Sequence, residues 1–156
     1  MVSNKIILRE VLKSDLPIFH QQQLDPIATY MADFPPRVRE EFMAHWTMIM
    51  GNYTNIIRTI LYNGNVAGNV VSFVQFGKRE VGYWIGREFW GKGIATKALK
   101  GFLKLDKKRP LYGHVVKDNI GSRRVLEKCG FIISSEDREY SRLRGVEVEG
   151  YLLKLD

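Results

Sequence analysis

The 156-residue sequence predicts an α+β fold on a central, mostly antiparallel sheet with one parallel strand pair, and three observations predict it. Asn63-Gly64 stands between two β-rich runs, 56–62 and 66–76. That dipeptide is the strongest short hairpin signal, because both turn residues take positive φ. A strand over 80–85, a helix over 94–105 and a strand over 111–116 read as a β–α–β unit, whose strands are parallel neighbours joined by a right-handed crossover. Two further β runs, 131–140 and 146–155, turn near Arg144-Gly145 and close the chain as a strand pair.

The elements follow in order. Ile6-Ile7-Leu8 opens as a short strand, and Ser14 is read as the N-cap of a helix that tolerates Pro17 in its first turn and runs to about Leu24. Asp33-Phe34-Pro35-Pro36 breaks the chain, since each proline lacks a donor and restricts the residue before it. A second helix runs over 37–50, with Val38, Phe42, Met43, Trp46, Ile49 and Met50 at the spacing of one helical face. The hairpin follows, then a turn at Gly77-Lys78. Ile94/Ala95, Ala98/Leu99 and Phe102/Leu103 repeat every four residues and give the crossover helix one buried stripe. A last helix over 119–128 is closed by Gly130. No repeat, low-complexity tract or linker interrupts this order, so residues 1–156 read as one domain.

Composition sets outer limits. Apolar types at 45% and charged types at 26% permit a packed core and exclude a wholly disordered chain. A single cysteine excludes an internal disulfide and a thiolate zinc site. His20, His45 and His114 fall in no metal-ligand spacing, so no metal is expected. The excess of 24 Lys+Arg over 17 Asp+Glu, +7, attracts polyanions, whether a phosphorylated cofactor, a nucleic acid or a membrane surface. Met1-Val2-Ser3-Asn4-Lys5 lacks a leader's long apolar region and no apolar run reaches about 18 residues, so the expectation is a cytoplasmic protein without a membrane partner.

The chemistry gathers at one end of the parallel pair. Gly91-Lys92-Gly93 leaves the carboxyl end of the first strand and Lys117-Asp118-Asn119 the same end of the second, where ligands of open α/β sheets sit. The first loop has the parts of an anion site: free amides and the positive dipole end of a helix, glycines that admit close approach, and Lys92. The same glycines also suit a plain tight turn. Two phosphate motifs fail. The G-x-x-x-x-G-K run 86–92 has Gly93 where a Mg²⁺-binding Ser or Thr must stand, and the third glycine of a dinucleotide fingerprint is Thr96.

What remains, Phe89-Trp90-Gly91-Lys92-Gly93-Ile94-Ala95-Thr96-Lys97-Ala98-Leu99 after Glu80-Val81-Gly82-Tyr83-Trp84-Ile85, resembles motif A of the GNAT acyltransferases. Trp90 stands where that motif has Gln or Arg. Together with Asn119-Ile120-Gly121-Ser122 and the run to Phe131, it is similar to the branch of ribosomal-protein N-terminal acetyltransferases. The resemblance implies the GNAT acyl-CoA N-acyltransferase fold, an αβα arrangement in which the parallel pair splays around acetyl-CoA. It also implies that Trp90, Gly91, Lys92, Gly93, Ile94, Ala95 and Thr96 hold the pyrophosphate region. By the same likeness Trp84 and Ile85 pair with the pantetheine arm, and Asn119 and Ser122 contact it from across the cleft. Asn119 reads equally as the N-cap of the last helix.

Transfer to an amine needs a neutral nucleophile, hence a base, since a lysine-type amine titrates near about 10.4 and an α-amino group near about 7.7–8.0. Glu80 is the candidate base, where relatives often carry a catalytic glutamate; its other reading is a solvated strand-edge carboxylate. His114, on the second cleft strand, stands behind it as a proton carrier. The tyrosine that many relatives use as acid is Leu126 here. Ser122 is the candidate donor in its place, or else a cofactor contact or a helix-surface serine.

Cys129 reads as a buried hydrophobe. Lys104, Lys107, Lys108 and Arg109 read as a solvated helix end, with an RNA- or ribosome-facing patch as the sharper alternative. Tyr30 and Phe34 lie where the resemblance implies the acceptor pocket. The expected function is direct acetyl transfer from acetyl-CoA to a primary amine, on a small molecule or a protein N-terminus, in a ternary complex. The alternative is a non-catalytic CoA-binding or RNA-binding module on the same fold. Nucleic acid is the less favoured partner, and a homodimer through the last strands or aromatic surfaces stays open.

Overall fold

The computed structural model describes residues 5–156, so the N-terminal reading made on Met1-Val2-Ser3-Asn4 lies outside the described residues. Seven strands, β1 (Ile6–Arg9), β2 (Ile56–Tyr62), β3 (Asn65–Gln75), β4 (Lys78–Ile85), β5 (Leu111–Val116), β6 (Ile132–Ser141) and β7 (Val146–Leu155), form one sheet. Their order is β1-β2-β3-β4-β5-β7-β6. Every neighbour pair is antiparallel except β4–β5, which is parallel and registers only at Glu80 opposite Tyr112. The expected splayed pair is therefore present.

Helices cover both faces: α1 (Leu16–Gln23), α2 (Pro26–Ala32) and α3 (Arg39–Gly51) on one, α4 (Ile94–Leu105) and α5 (Ile120–Lys128) on the other. The four-residue apolar repeat of α4 buries Ile94, Ala98, Leu99 and Phe102 against Ile60, Val70, Val81, Leu111 and Val115. On the opposite face Phe19, Phe42 and Trp46 pack with Val71, Ile57 and Val66. Burial of these side chains contributes about 1.5–3 kcal/mol each. Among the described residues no helix is long and apolar enough to cross a membrane.

Three local expectations are corrected, and the reading of Asn119 as the cap of the last helix is borne out. Ser14 does not cap α1: it lies in a 3₁₀ turn, Lys13–Asp15, and Asp15 holds the N-cap position. The helix α2 was absent from the sequence reading, although Asp25 accepts from the Ile27 amide at 3.1 Å and Pro26 fills the first turn. The β3–β4 turn falls one residue early, at Phe76 and Gly77, both at positive φ, so Lys78 is already in β4. The last helix begins at Ile120, with Asn119 as its cap.

Asp15 ties the sheet to the first helix. Its carboxylate receives both terminal nitrogens of Arg9 (2.7 and 2.8 Å), the Leu12 amide (2.9 Å) and the Thr59 hydroxyl (2.7 Å), at only 2% exposure. Burial pushes this carboxyl up, but the hydrogen bonds, led by Arg9, outweigh it and hold it below its ordinary range. Stabilisation from a depressed carboxyl is present above the unfolded value of about 3.9 and is lost as pH falls through the folded one. Asp15→Ala is expected to cost about 3 kcal/mol in urea unfolding at pH 7, since it strands a partly buried arginine. The gap to the parent protein should narrow as both are titrated into acid.

Candidate active site

Beyond the Glu80–Tyr112 pairing, β4 and β5 separate, and the loops at their carboxyl ends form the two sides of a cleft. In the first loop Gly91 and Gly93 take φ of 78° and 73°, and a Cβ on either would meet nothing within 4 Å. The mouth is thus open, and its backbone conformation is one that side chains disfavour. The first helical bond of α4 runs from the Lys97 amide to Gly93 at 3.2 Å, so the amides of Ile94, Ala95 and Thr96 have no partner within the helix. No acidic residue lies in its first turn, and Lys92 is exposed beside it. Amides, dipole and lysine together suit a pyrophosphate.

The end of β4 differs from the expectation at one residue. A Cβ on Gly68 of β3 would lie 1.9 Å from the Trp84 carbonyl, so Trp84 turns its main chain toward β3. Backbone groups alternate along a strand, so Tyr83 and Ile85 face the cleft instead. The Trp84 main chain is therefore paired with Asn69 of β3. Its indole donates to the Gln22 carbonyl at 3.1 Å, and its ring meets Phe34 at 5.9 Å. The Ile85 carbonyl accepts from the Trp90 indole at 2.9 Å, which leaves the Ile85 amide.

On the second side Asn119 accepts from the Ser122 amide at 3.3 Å, the cap geometry; its amide nitrogen has no partner among the described residues. Ser122 is met by a residue the sequence reading passed over. The Tyr83 hydroxyl lies 2.7 Å from Ser122 Oγ and 3.1 Å from the Ser122 carbonyl, bridging β4 to α5. Burial pushes the Tyr83 phenol up to about 12, so it stays protonated. Leu126 is 1% exposed, with its methyl groups directly over Gly113 of β5. It is a core residue.

Strand alternation divides the site by face. Val81 and Tyr83 point to the α4/α5 core, so Glu80, Gly82 and Trp84 point to the α1–α3 side. A Cβ on Gly82, between Glu80 and Trp84, would touch Val71 and Phe73 of β3 at 3.8 and 3.9 Å. Glu80 is half-buried: burial pushes its carboxyl up, and His114 and Lys78 only partly offset this. His114 lies on the same face and bonds Asp137 at 2.7 Å.

Of the two acceptor-pocket candidates, Phe34 meets Trp84, whereas Tyr30 is half-exposed and stacks under a cation instead. Arg144, legible in sequence only as part of a turn, lies 4.4 Å above the Tyr30 ring. Its guanidinium donates to the Tyr30 carbonyl (2.6 and 3.1 Å), the Met31 carbonyl (3.3 Å) and Asp118 (2.7 Å). Beside it the Ser141 hydroxyl bonds Asp33. The β6–β7 turn thereby closes on α2 and on the loop that carries Asn119. Cys129 is half-buried, its thiol pushed up by burial and directed at the Thr96 carbonyl. Arg109 and the Lys108 amide bond Asp106 at the far end of α4.

Residues 5–132 match the family described as acetyltransferase (GNAT) domain. YdaF of Bacillus subtilis (strain 168), whose name assigns it provisionally as a ribosomal N-acetyltransferase, is 31% identical over 117 residues, 69% of this chain and 63% of that protein. The N-acetyltransferase p20 of Bacillus licheniformis, uncharacterized by name, is 31% identical over 84 residues, 51% of this chain and 47% of the other. The chain thus spans under two thirds of either relative. The spermidine N-acetyltransferase from Vibrio cholerae, solved with CoA and spermine, shares the fold at TM-score 0.85 and 18% identity, over 96% of this chain and 94% of that one. The ribosomal L7/L12 alpha-N-protein acetyltransferase RimL, solved with coenzyme A, does so at 0.78 and 21%, over 97% and 95%.

The side chain of Arg144 is only 5% exposed, and hydrogen bonds to a charged donor are worth about 1.5–3 kcal/mol. Arg144→Ala should lower global stability by about 2 kcal/mol. Hydrogen exchange should speed up over 26–33 and 141–146 and stay unchanged in α4.

Proposed function

The chain belongs to the GNAT acetyltransferases, and from that premise we propose that it transfers an acetyl group from acetyl-CoA directly to a primary amine, with both substrates held together in the cleft. The observation that carries this reading is the parting of β4 from β5 just beyond Glu80, with the bare amides of α4 at one end of the gap and Glu80 at its vertex. Acetyl-CoA, when bound, supplies the thioester carbon that the amine attacks. The amides from Gly91 to Thr96 and Lys92 hold the pyrophosphate, and the indole of Trp90 closes the strand end behind it. The main chain of Tyr83, the Ile85 amide and the Asn119 amide nitrogen guide the pantetheine arm.

Glu80 takes the amine's proton. A carboxyl raised by burial is a stronger base than an ordinary glutamate. Ser122 faces the leaving sulfur. The Tyr83 hydroxyl bonds both the Ser122 carbonyl and Ser122 Oγ, so Tyr83 positions the serine. A thiol titrating near about 8.5 needs little more help. The acceptor is an amine, either a protein N-terminus, as the names of YdaF and RimL suggest for those proteins, or a polyamine, as the Vibrio enzyme's name does for it.

Release of free thiol from acetyl-CoA across an amine panel tests the reading. Glu80→Gln should lower kcat/KM by about 10²-fold or more, with the heat of CoA binding retained. Its stability carries a second sign. A raised carboxyl costs stability as pH climbs from about 4.3 through the folded value, so Glu80→Gln should melt no lower than the parent at pH 7 and lose any advantage at pH 4. Unchanged turnover would remove Glu80 from the mechanism. Heat of binding with no thiol release from any amine would make the chain a binding module, and no heat would overturn the site.

Tyr83→Phe and Ser122→Ala should each reduce kcat, and the double variant should fall no further than Ser122→Ala alone, because the two hydroxyls act as one unit. Additive losses in the double variant would separate their roles.

A further inference from the structure

We infer that His114, held by Asp137, carries the proton from Glu80 to solvent after each transfer. The inference rests on the reading of Glu80 as the base. That carboxyl is half-buried at the vertex of the cleft, under α1 and α2, and a turnover leaves a proton on it that must depart before the next amine is served.

The placement follows from register. Glu80 is opposite Tyr112, so His114, two residues on, shares its face, and the His114 ring is near enough for its charge to act on the Glu80 carboxyl. Val116, Gly150 and Asp137 are cross-strand partners on that face, which brings Asp137 diagonally to His114 from the other side. His114 Nε2 lies 2.7 Å from Asp137 Oδ2, which commits that nitrogen and leaves Nδ1. The two side chains are 45% and 42% exposed, so the outer end of the line is wet. Other charged groups of this face are Lys78, stacked 5.0 Å over Tyr112, Lys154 opposite Tyr112, and Glu139, two residues along β6 from Asp137.

Gly150 is the third element. A Cβ there would stand 2.5 Å from Asp137 Oδ1 and 2.9 Å from His114 Nε2, so the pair closes over β7 only because that residue has no side chain. The steps balance without a redox partner. An ammonium N–H breaks and its proton passes to the Glu80 carboxylate; the Glu80 O–H then breaks as neutral His114 accepts at Nδ1. The imidazolium, hydrogen-bonded to Asp137, releases one proton to water.

The test is steady-state kcat in dilute buffer, with and without added imidazole. His114→Gln should lower kcat by at least about 10-fold, less than the 10²–10⁴ of a direct base because transfer through water persists. Imidazole should restore it in proportion to concentration, while the parent enzyme is unaffected. Asp137→Asn should lower kcat in the same direction. Gly150→Ala, which parts the pair while keeping both groups, should do so too, and it carries the test if His114→Gln fails to fold. CoA binding and the acceptor KM should not move. Full kcat in His114→Gln, or a loss that imidazole does not repair, would overturn the relay while an inactive Glu80→Gln keeps the base. An active Glu80→Gln would overturn both.

Discussion

The site depends on a sheet that stops pairing in its own middle. A parallel pair needs a crossover, so β4 and β5 point their carboxyl ends the same way and deliver two loops to one place. They register at one residue pair and then diverge. Each strand can leave the other because its far side is held: β4 by eight antiparallel pairs with β3, β5 by six with β7. The close approach of Gly68 to the Trp84 carbonyl is part of that grip. Divergence strands backbone groups inside the protein, and an unpaired buried amide or carbonyl costs about 1–3 kcal/mol. Trp90 satisfies one such carbonyl from the loop. The remainder are ready hydrogen-bonding partners for an extended ligand.

The same strand assigns the two halves of the chemistry to opposite faces. Because side chains alternate, Tyr83 must point toward α5, where Ser122 waits, while Glu80 and Trp84 must point toward α1 and α2. The Glu80 carboxyl and the Tyr83–Ser122 hydroxyl pair are thus separated by the thickness of one strand, with no loop needed to sort them. Gly82 serves this division by presenting no bulk between Glu80 and Trp84. The wall on the acceptor side is then fixed from a distance: Arg144 joins α2, the β6–β7 turn and Asp118, one residue from Asn119.

The sequence was most informative where a signal is local. Asn63-Gly64, the four-residue stripe of α4 and the glycines of its mouth each act within a few residues, and each appears as read. The helix α2 did carry a local signal, Asp25-Pro26, but seven residues offer too little periodicity against the breaker at Asp33–Pro36. Ser14 and Asp15 are both good caps, and the choice between them is made by Arg9 and Thr59, the latter 44 residues away. Trp84 looked like the cleft residue because strand ends are, yet which backbone groups face inward depends on register with β3. Tyr83 and Arg144 find their partners 39 and up to 114 residues away, beyond any pattern in the chain.

Leu126 shows how such distant choices are linked. It occupies the place of the usual acid, but its methyl groups fill the space over Gly113, where a Cβ would approach within 2.9 Å. The core beneath β5 is therefore closed by an aliphatic side chain meeting a glycine, and a phenol at 126 would have to leave that core to reach the cleft. A hydroxyl placed one turn earlier on α5, at Ser122, reaches the cleft without opening the core. It needs orientation, which a lone serine lacks, and Tyr83 supplies that from the facing strand through a buried hydroxyl that stays protonated across the working range of pH. The Tyr83–Ser122 bridge and the packing of Leu126 over Gly113 thus fix α5 against β4 and β5 together.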